Sequence, residues 1–301
     1  MNQINFTFII PHKNIPSLLS RCLDSIPRRD DIQIIIVDDN SDPSIVHFDE
    51  FPGVGEKGVE VYFTQEGKGA GYARNIGLKH AVGKWLLFAD ADDFYHSSLL
   101  TVLDSHLNSS SDIIFFNADS VDSSTMLPHG RMEYLYSLTN TYQNSRNDKM
   151  AEIIFKTNHH VPVAKMIKRT LQSVHQIYFE EIPAGNDLMF GIKCNLTAES
   201  ISISDETIYC ATFRPDSLRF KKFDKIIVKS RFSAINRANL FLKEKRIRYI
   251  LSPMNTIVEN ISGFSNKEIV SFVFEILHTY SPLRAGKFIL QLCNAYMKKD
   301  K

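Results

Sequence analysis

The chain has few cysteines, no excess of either charge and no long apolar run. Cys22, Cys194, Cys210 and Cys293 lie far apart and form no Cys-x-x-Cys pair. That argues against a zinc site and, in a chain of 301 residues, against a disulfide framework. Lys and Arg total 35 and Asp and Glu 34, so no global field selects for nucleic acid, and none is expected as a partner. The start, MNQINFTFIIPHKN, lacks the basic n-region of a signal peptide, and nothing approaches the roughly 18 uninterrupted apolar residues of a membrane span. A cytoplasmic protein is the expectation. Repeats and low-complexity tracts are absent too. What is present is an ordinary globular composition, 44% hydrophobic and 23% charged, in a length that suits one large domain or two small ones.

The first third alternates strand and helix signals. FTFII (Phe6–Ile10) is a short strand stopped by Pro11, and SLLSRCLDSI carries apolar residues at helical spacing. IQIIIVDD is a continuous apolar strand of the kind buried on both faces of a parallel sheet. VEVYF, KWLLFA and DIIFFNAD read as further strands, with AGYARNIGLKHA and SSLLTVLDSHL as helices between them. This rhythm predicts an α/β domain with a mostly parallel sheet, whose ligands sit beyond the carboxyl ends of the strands. Asp38–Asp39 and Asp90–Asp92 end two of those strands and should share one sheet edge. The middle is less regular, with helices expected near Lys149–Lys156 and after Gly185, and two short strands in ESISISDETIYCATFR. From Lys225 onward the pattern is helical and reads as a separate segment.

Three stretches can carry chemistry. In KWLLFADADD an apolar strand breaks into Asp90, Asp92 and Asp93. Carboxylates on alternate residues leaving a strand can converge on a hard divalent cation that also binds a diphosphate. The bland alternative is a solvated acidic turn with Asp93 as a helix cap. In IIIVDDNSDPS, Asp38 and Asp39 can accept hydrogen bonds from a base or ribose, or merely belong to a turn rich in Asn, Ser and Asp. EGKGAGYARNIG places alternating glycines before a helix, a setting for phosphate, with Lys68 and Arg74 adding positive charge. It is neither a dinucleotide fingerprint nor a Walker loop.

Taken together and in this order, FTFIIPHKN, IQIIIVDDNSD and GKGAGYARNIGLKHAVGKWLLFADADD closely resemble family 2 glycosyltransferases of the GT-A fold. The resemblance is strong from Phe6 to about Leu100 and continues weakly to about Phe220. It implies a nucleotide-sugar-binding part over 1–120, an acceptor-binding part of the same domain over 121–224 and a C-terminal helical segment over 225–301. Pro11 would lie beside the nucleotide base, Asp39 would contact a uracil ring with Asp38 in support, and Arg74 would lie near the sugar-nucleotide. Asp92 would bind Mn²⁺ or Mg²⁺ bridging the diphosphate of a UDP-sugar, and Asp90 would face the ribose or the metal. The family often carries Gly-Glu-Asp-x-x-Phe, whose Asp is the catalytic base. AGNDLMF matches it with Asp187, although Asn186 stands where Glu is usual. IYCATFRPDSL resembles the family's Tyr-x-Tyr-Arg-x-x-x-Ser segment, with Arg214 at the Arg and Ser217 one residue short of the Ser position; the resemblance implies that they touch the diphosphate or acceptor. Lys165 in HHVPVAKMIKR would lie near the acceptor floor. His159 and His160 are adjacent, so if they lie on a strand they point to opposite faces and do not readily chelate one ion.

The implied reaction is inverting transfer to a hydroxyl of a glycan or lipid-linked saccharide, as in surface polysaccharide synthesis. Two rivals remain. A phosphatase of the haloacid dehalogenase type also ends a strand in Asp-x-Asp, but its motif starts near the N-terminus and is not followed by Asp-Phe. A non-catalytic sugar-nucleotide-binding module could use the same fold. KIIVKSRF, KEKRIRY and YMKKDK in the tail mix basic and apolar residues. They read either as amphipathic helices at the inner face of a membrane or as helices packed on the core, and packing is preferred.

Overall fold

The computed structural model describes residues 3–214 and 224–297. Ser217 lies outside the described residues. The chain runs β1 (Phe6–His12), α1 (Pro16–Asp24), β2 (Ile32–Asp38), β3 (Val59–Phe63), α2 (Ala70–His80), β4 (Trp85–Phe88) and β5 (Phe94–Tyr95). It continues through α3 (Leu99–His106), β6 (Ile113–Asp122), α4 (Glu133–Gln143), α5 (Lys149–Asn158), β7 (Lys165–Lys168), α6 (Arg169–Val174), α7 (Asn186–Thr197) and β8 (Ile201–Phe213). Four helices follow: α8 (Lys225–Glu244), α9 (Met254–Val258), α10 (Asn266–Thr279) and α11 (Pro282–Met297).

The strands form one sheet in the order β3-β2-β1-β4-β7-β6-β8-β5. The β3-β2-β1-β4 half is parallel, as the alternation of strand and helix predicts. The other half is mixed: β7 runs antiparallel to both neighbours, and β5 runs antiparallel to β8. Every residue of β2 is buried, which explains its unbroken apolar run. One core lies on each face of the sheet, one built on Phe8, Ile34, Trp85 and Tyr209, the other on Ile9, Ile35, Phe88 and Phe190.

Two details differ from the expected elements. Pro11 does not stop β1; the strand continues to His12 and pairs it with Asp38. The β1–β4 register ends at Ile9 opposite Phe88, and Ile9 faces β4 through its carbonyl. Pro11 faces the same way, beyond the end of β4, so its missing N–H costs no ladder bond. The two short strands expected after Ser200 are one long strand, β8, whose pairing with β6 shifts register around Asn117.

The C-terminal helices dock on the sheet domain. Ala234, Ala238 and Leu242 of α8 pack against Leu188, Met189 and Ile192 of α7, while Phe232, Ile257, Phe272 and Ile276 build a second core among the helices themselves. The apolar stripe of α8 is thus used in packing. Among the described residues, no helix is long and apolar enough to cross a membrane.

Candidate active site

The site lies beyond the carboxyl ends of β1, β2 and β4. At β2, two adjacent aspartates are held differently. Asp38 is buried and accepts from His12 Nδ1 (2.7 Å), the Ser41 amide (2.9 Å) and the Ser41 hydroxyl (2.5 Å). Burial alone would raise its pKa, but the bonds from His12 and Ser41 outweigh it and hold the carboxyl below its ordinary value. Its hydrogen bonds are thus directed inward. Asp39 is equally buried, yet among the described residues only Oδ2 is engaged, by the Gly69 amide at 2.8 Å and Lys13 Nζ at 3.5 Å, and Oδ1 has no partner there. Gly67 and Gly69 have φ of 62° and 95°, and this left-handed geometry lets the loop before α2 bring the Gly69 amide to Asp39. Lys68 between them is exposed, with its ammonium over the Tyr72 ring. Pro11 is half-buried next to His12 at the end of β1.

Two strands away from β2, the chain leaving β4 turns sharply, with Asp93 N–H donating to the Asp90 carbonyl. Arg74, buried on α2, spans the cleft: Nη2 meets Asp90 Oδ1 at 2.5 Å and Nη1 meets Asn186 Oδ1 at 2.9 Å. The unusual Asn186 therefore keeps an acceptor for the arginine. Arg74 ties the aspartate turn to the start of α7, where Asp187 stands in the first turn.

Asp93 is not a helix cap; Ser98 holds the N-cap position of α3. Asp93 is buried and accepts from the Tyr209 hydroxyl (2.7 Å) and the Thr212 amide (2.7 Å). Tyr209 in turn accepts from the Asp90 amide at 3.1 Å. Burial first, then the charges of Asp92 and Asp90, push the Asp93 carboxyl well above its ordinary value. Asp92 is raised by the same burial and by Asp90, while Arg214 opposes them. Arg214 reaches Asp92 Oδ2 through Nε and Nη2, and the Asp92 carbonyl accepts from Thr212 Oγ1 at 2.6 Å. Strand β8 supplies Tyr209 and Thr212, and the residue just after it supplies Arg214, to an acidic turn more than 100 residues earlier, a contact that no local sequence signal carries.

A cavity of about 830 Å³ opens beside this turn, lined by Arg74, Asp90, His160, Asp187, Arg231 and Tyr249 among others. The sheet domain and the α8–α9 region share its wall, so the helical segment is part of the site. Burial lowers the His160 pKa, and the nearby charge of Asp187 opposes that shift. Gly191 lets α7 press against this stretch, because a Cβ there would stand 1.8 Å from the His160 carbonyl oxygen.

Lys165 is not on the cavity floor. It is fully buried, donates to the His159 carbonyl at 2.6 Å and lies over the Phe115 ring. Burial lowers its pKa to about 7. His159 is buried against Phe115 and Phe155 with neither ring nitrogen bonded.

A family model for glycosyl transferase family 2 matches residues 7–171. The poly(ribitol-phosphate) beta-N-acetylglucosaminyltransferase TarS of Staphylococcus aureus is 26% identical over 223 residues, covering 70% of this chain and 36% of that protein. A poly(ribitol-phosphate) beta-glucosyltransferase of Bacillus spizizenii is 28% identical over 213 residues, covering 68% of this chain and 32% of that protein. The chain therefore spans about a third of the length of these curated relatives. The crystal structure of S. aureus TarS residues 1–349 in complex with UDP-GlcNAc shares the fold, with a TM-score of 0.62 at 19% identity, covering 98% of this chain and 88% of that one. The sheet, the acidic turn and the family match over more than half its length agree: the chain belongs to glycosyl transferase family 2.

Proposed function

We propose that the chain is an inverting glycosyltransferase that moves a sugar from a UDP-sugar to a hydroxyl of a glycan or lipid-linked saccharide in surface polymer synthesis. The observation that carries this reading is the cavity into which Asp187, Asp90 and Arg74 all face. The relatives named for glycosylating poly(ribitol-phosphate) support a surface polymer as acceptor.

On the donor side, Asp39 offers the unpartnered Oδ1 to the imide N–H of uracil, with Pro11 beside the base and Asp38 bracing the turn. Among the described residues, Arg214 and the exposed Lys68 are cations that can serve the diphosphate. Oxygens of Asp90, Asp92 and Asp93 lie within 4.8 Å of one another. This all-oxygen set fits Mn²⁺ or Mg²⁺, with the more exposed Asp92 and Asp90 as ligands and Asp93 buried behind them. When bound there, the cation would neutralise charge on the departing diphosphate.

On the acceptor side, Asp187 takes the proton of the attacking hydroxyl as its oxygen bonds to the anomeric carbon. The bond to UDP breaks on the opposite face, and the configuration inverts. Arg74 holds Asp90 and Asn186 in register, which fixes Asp187 relative to the donor. Asp90 is ion-paired to Arg74, which does not suit the nucleophile of the phosphatase reading. Peripheral membrane contact is part of the proposal, through exposed Phe274, Leu277, Leu283 and Leu290 on α10 and α11; binding to liposomes that is lost on charging Phe274 and Leu283 would support it.

Calorimetric titration of UDP, GDP, CDP and ADP with Mn²⁺ tests the donor assignment. UDP should bind most tightly, and Asp39→Ala should erase its advantage. Equal binding of all four would contradict the assignment.

A further inference from the structure

A second cluster of metal-ligating groups stands outside the acidic turn. His96 follows β5, Asp119 is on β6 and Cys210 is on β8. Adjacent strands bring them together: Cys210 pairs with Phe94 on one side and with Asp119 on the other, and the His96 amide continues the ladder to the Ile208 carbonyl. One ligand atom from each lies within 4.8 Å of the other two.

We propose that His96, Asp119 and Cys210 form a second metal site, for a borderline-soft divalent cation of the zinc class. An imidazole, a carboxylate and a thiolate are the donor types zinc takes in tetrahedral sites, and a solvent molecule can fill the fourth position. Donors around such an ion stand roughly 3.5 Å apart. His96 Nε2 and Asp119 Oδ1 are 2.9 Å apart, so the ion replaces that hydrogen bond and the two side chains open slightly. They have room to do so, since the side chains of His96 and Asp119 are 33% and 53% exposed. Cys210 is buried beneath them and closes the site from the sheet side.

Binding has a cost. Burial, followed by Asp119, pushes the Cys210 thiol up to about 12. Coordination must release its proton to solvent, so the site favours an ion with high thiolate affinity over Mg²⁺ or Mn²⁺. Cys210 lies next to Tyr209 and two residues from Thr212, which hold Asp93. An ion here therefore pins the strand that supports the acidic turn. The three ligands come from just past the end of β5, from β6 and from β8, at spacings that no sequence pattern reveals.

Cobalt substitution tests the site on the full chain, because thiolate–Co²⁺ ligation gives a near-ultraviolet charge-transfer band and carboxylate ligation does not. The reduced wild-type chain should develop the band with one equivalent of Co²⁺, and Zn²⁺ should abolish it. Cys210→Ser should lose the band, Cys293→Ser should keep it, and His96→Ala, at a half-exposed position, should weaken binding at least tenfold. A band that persists in Cys210→Ser, or binding unchanged in His96→Ala, would overturn the proposal. So would the absence of a band in wild-type protein at stoichiometric Co²⁺. Failure of the metal reading at Asp90 and Asp92 would leave this readout untouched.

Discussion

Arg214 lies on the carboxylate of Asp92, with Nη2 2.9 Å and Nε 3.1 Å from the same oxygen. The guanidinium occupies the group to which the proposed cation would bind. It offsets the burial and the Asp90 charge that raise the Asp92 pKa. Arg214→Gln should therefore raise the affinity for Mn²⁺ alone by about tenfold, the scale of one lost charge-assisted pair. The same variant should weaken UDP binding, as the diphosphate loses a cation. Calorimetry with each ligand separately checks both signs.

Asp38 and Asp39 are neighbours with opposite roles. Asp38→Ala strips His12 and Ser41 of a buried acceptor and should cost about 1–3 kcal/mol of stability. The Asp38 carboxyl is held below its ordinary value, so its contribution is present above the ordinary carboxylate range and is lost as pH falls through the lowered value. Asp39→Ala should leave stability nearly unchanged and reduce UDP affinity on the order of tenfold or more. Urea denaturation and nucleotide titration of the two variants separate the roles.

Asp93 has the opposite pH signature. Its pKa is raised in the fold, so its stabilising contribution is present at low pH and is lost as pH rises through the folded value. Asp93→Asn removes the charge and keeps an acceptor for the Thr212 amide. The Tm of this variant should exceed that of wild type increasingly as pH climbs above the ordinary carboxylate range. A constant difference across pH would contradict the assignment.

Much of the geometry beyond β1, β2 and β4 is legible in the sequence because it is local. The apolar strand of Ile32–Asp38, the glycines before α2 and the Asp-x-Asp after β4 each announce themselves within a dozen residues. The helix-cap alternative for Asp93 fails because its partners, Tyr209 and Thr212, are 116 and 119 residues away, beyond the reach of any local signal. Lys165, which the resemblance places near the acceptor floor, is instead buried, because the sheet order encloses β7 between β4 and β6, and no local signal carries that order. The helical pattern marks the tail as its own segment and its apolar residues favour packing on the core; which surface α8 packs on is not local, since its partner is α7, where Leu188 and Met189 follow Asp187 in sequence.

Gly191 gives a test of how α7 is seated. Gly191→Ala would drive a Cβ into the His160 carbonyl, since the approach is to backbone that cannot rotate away. The substitution should cost about 1–3 kcal/mol or more. Because the same helix carries Asp187 in its first turn, turnover should fall more than donor binding. Denaturation together with steady-state kinetics reads both effects.

The central claim is that Asp187 is the base that deprotonates the acceptor. Donor binding and sugar transfer measured on the same preparation of Asp187→Asn test it most directly. Transfer should fall by about 10²–10⁴-fold, the scale of a lost general base, while the donor Kd stays within roughly twofold of wild type. Turnover near the wild-type rate, with donor binding intact, would contradict it.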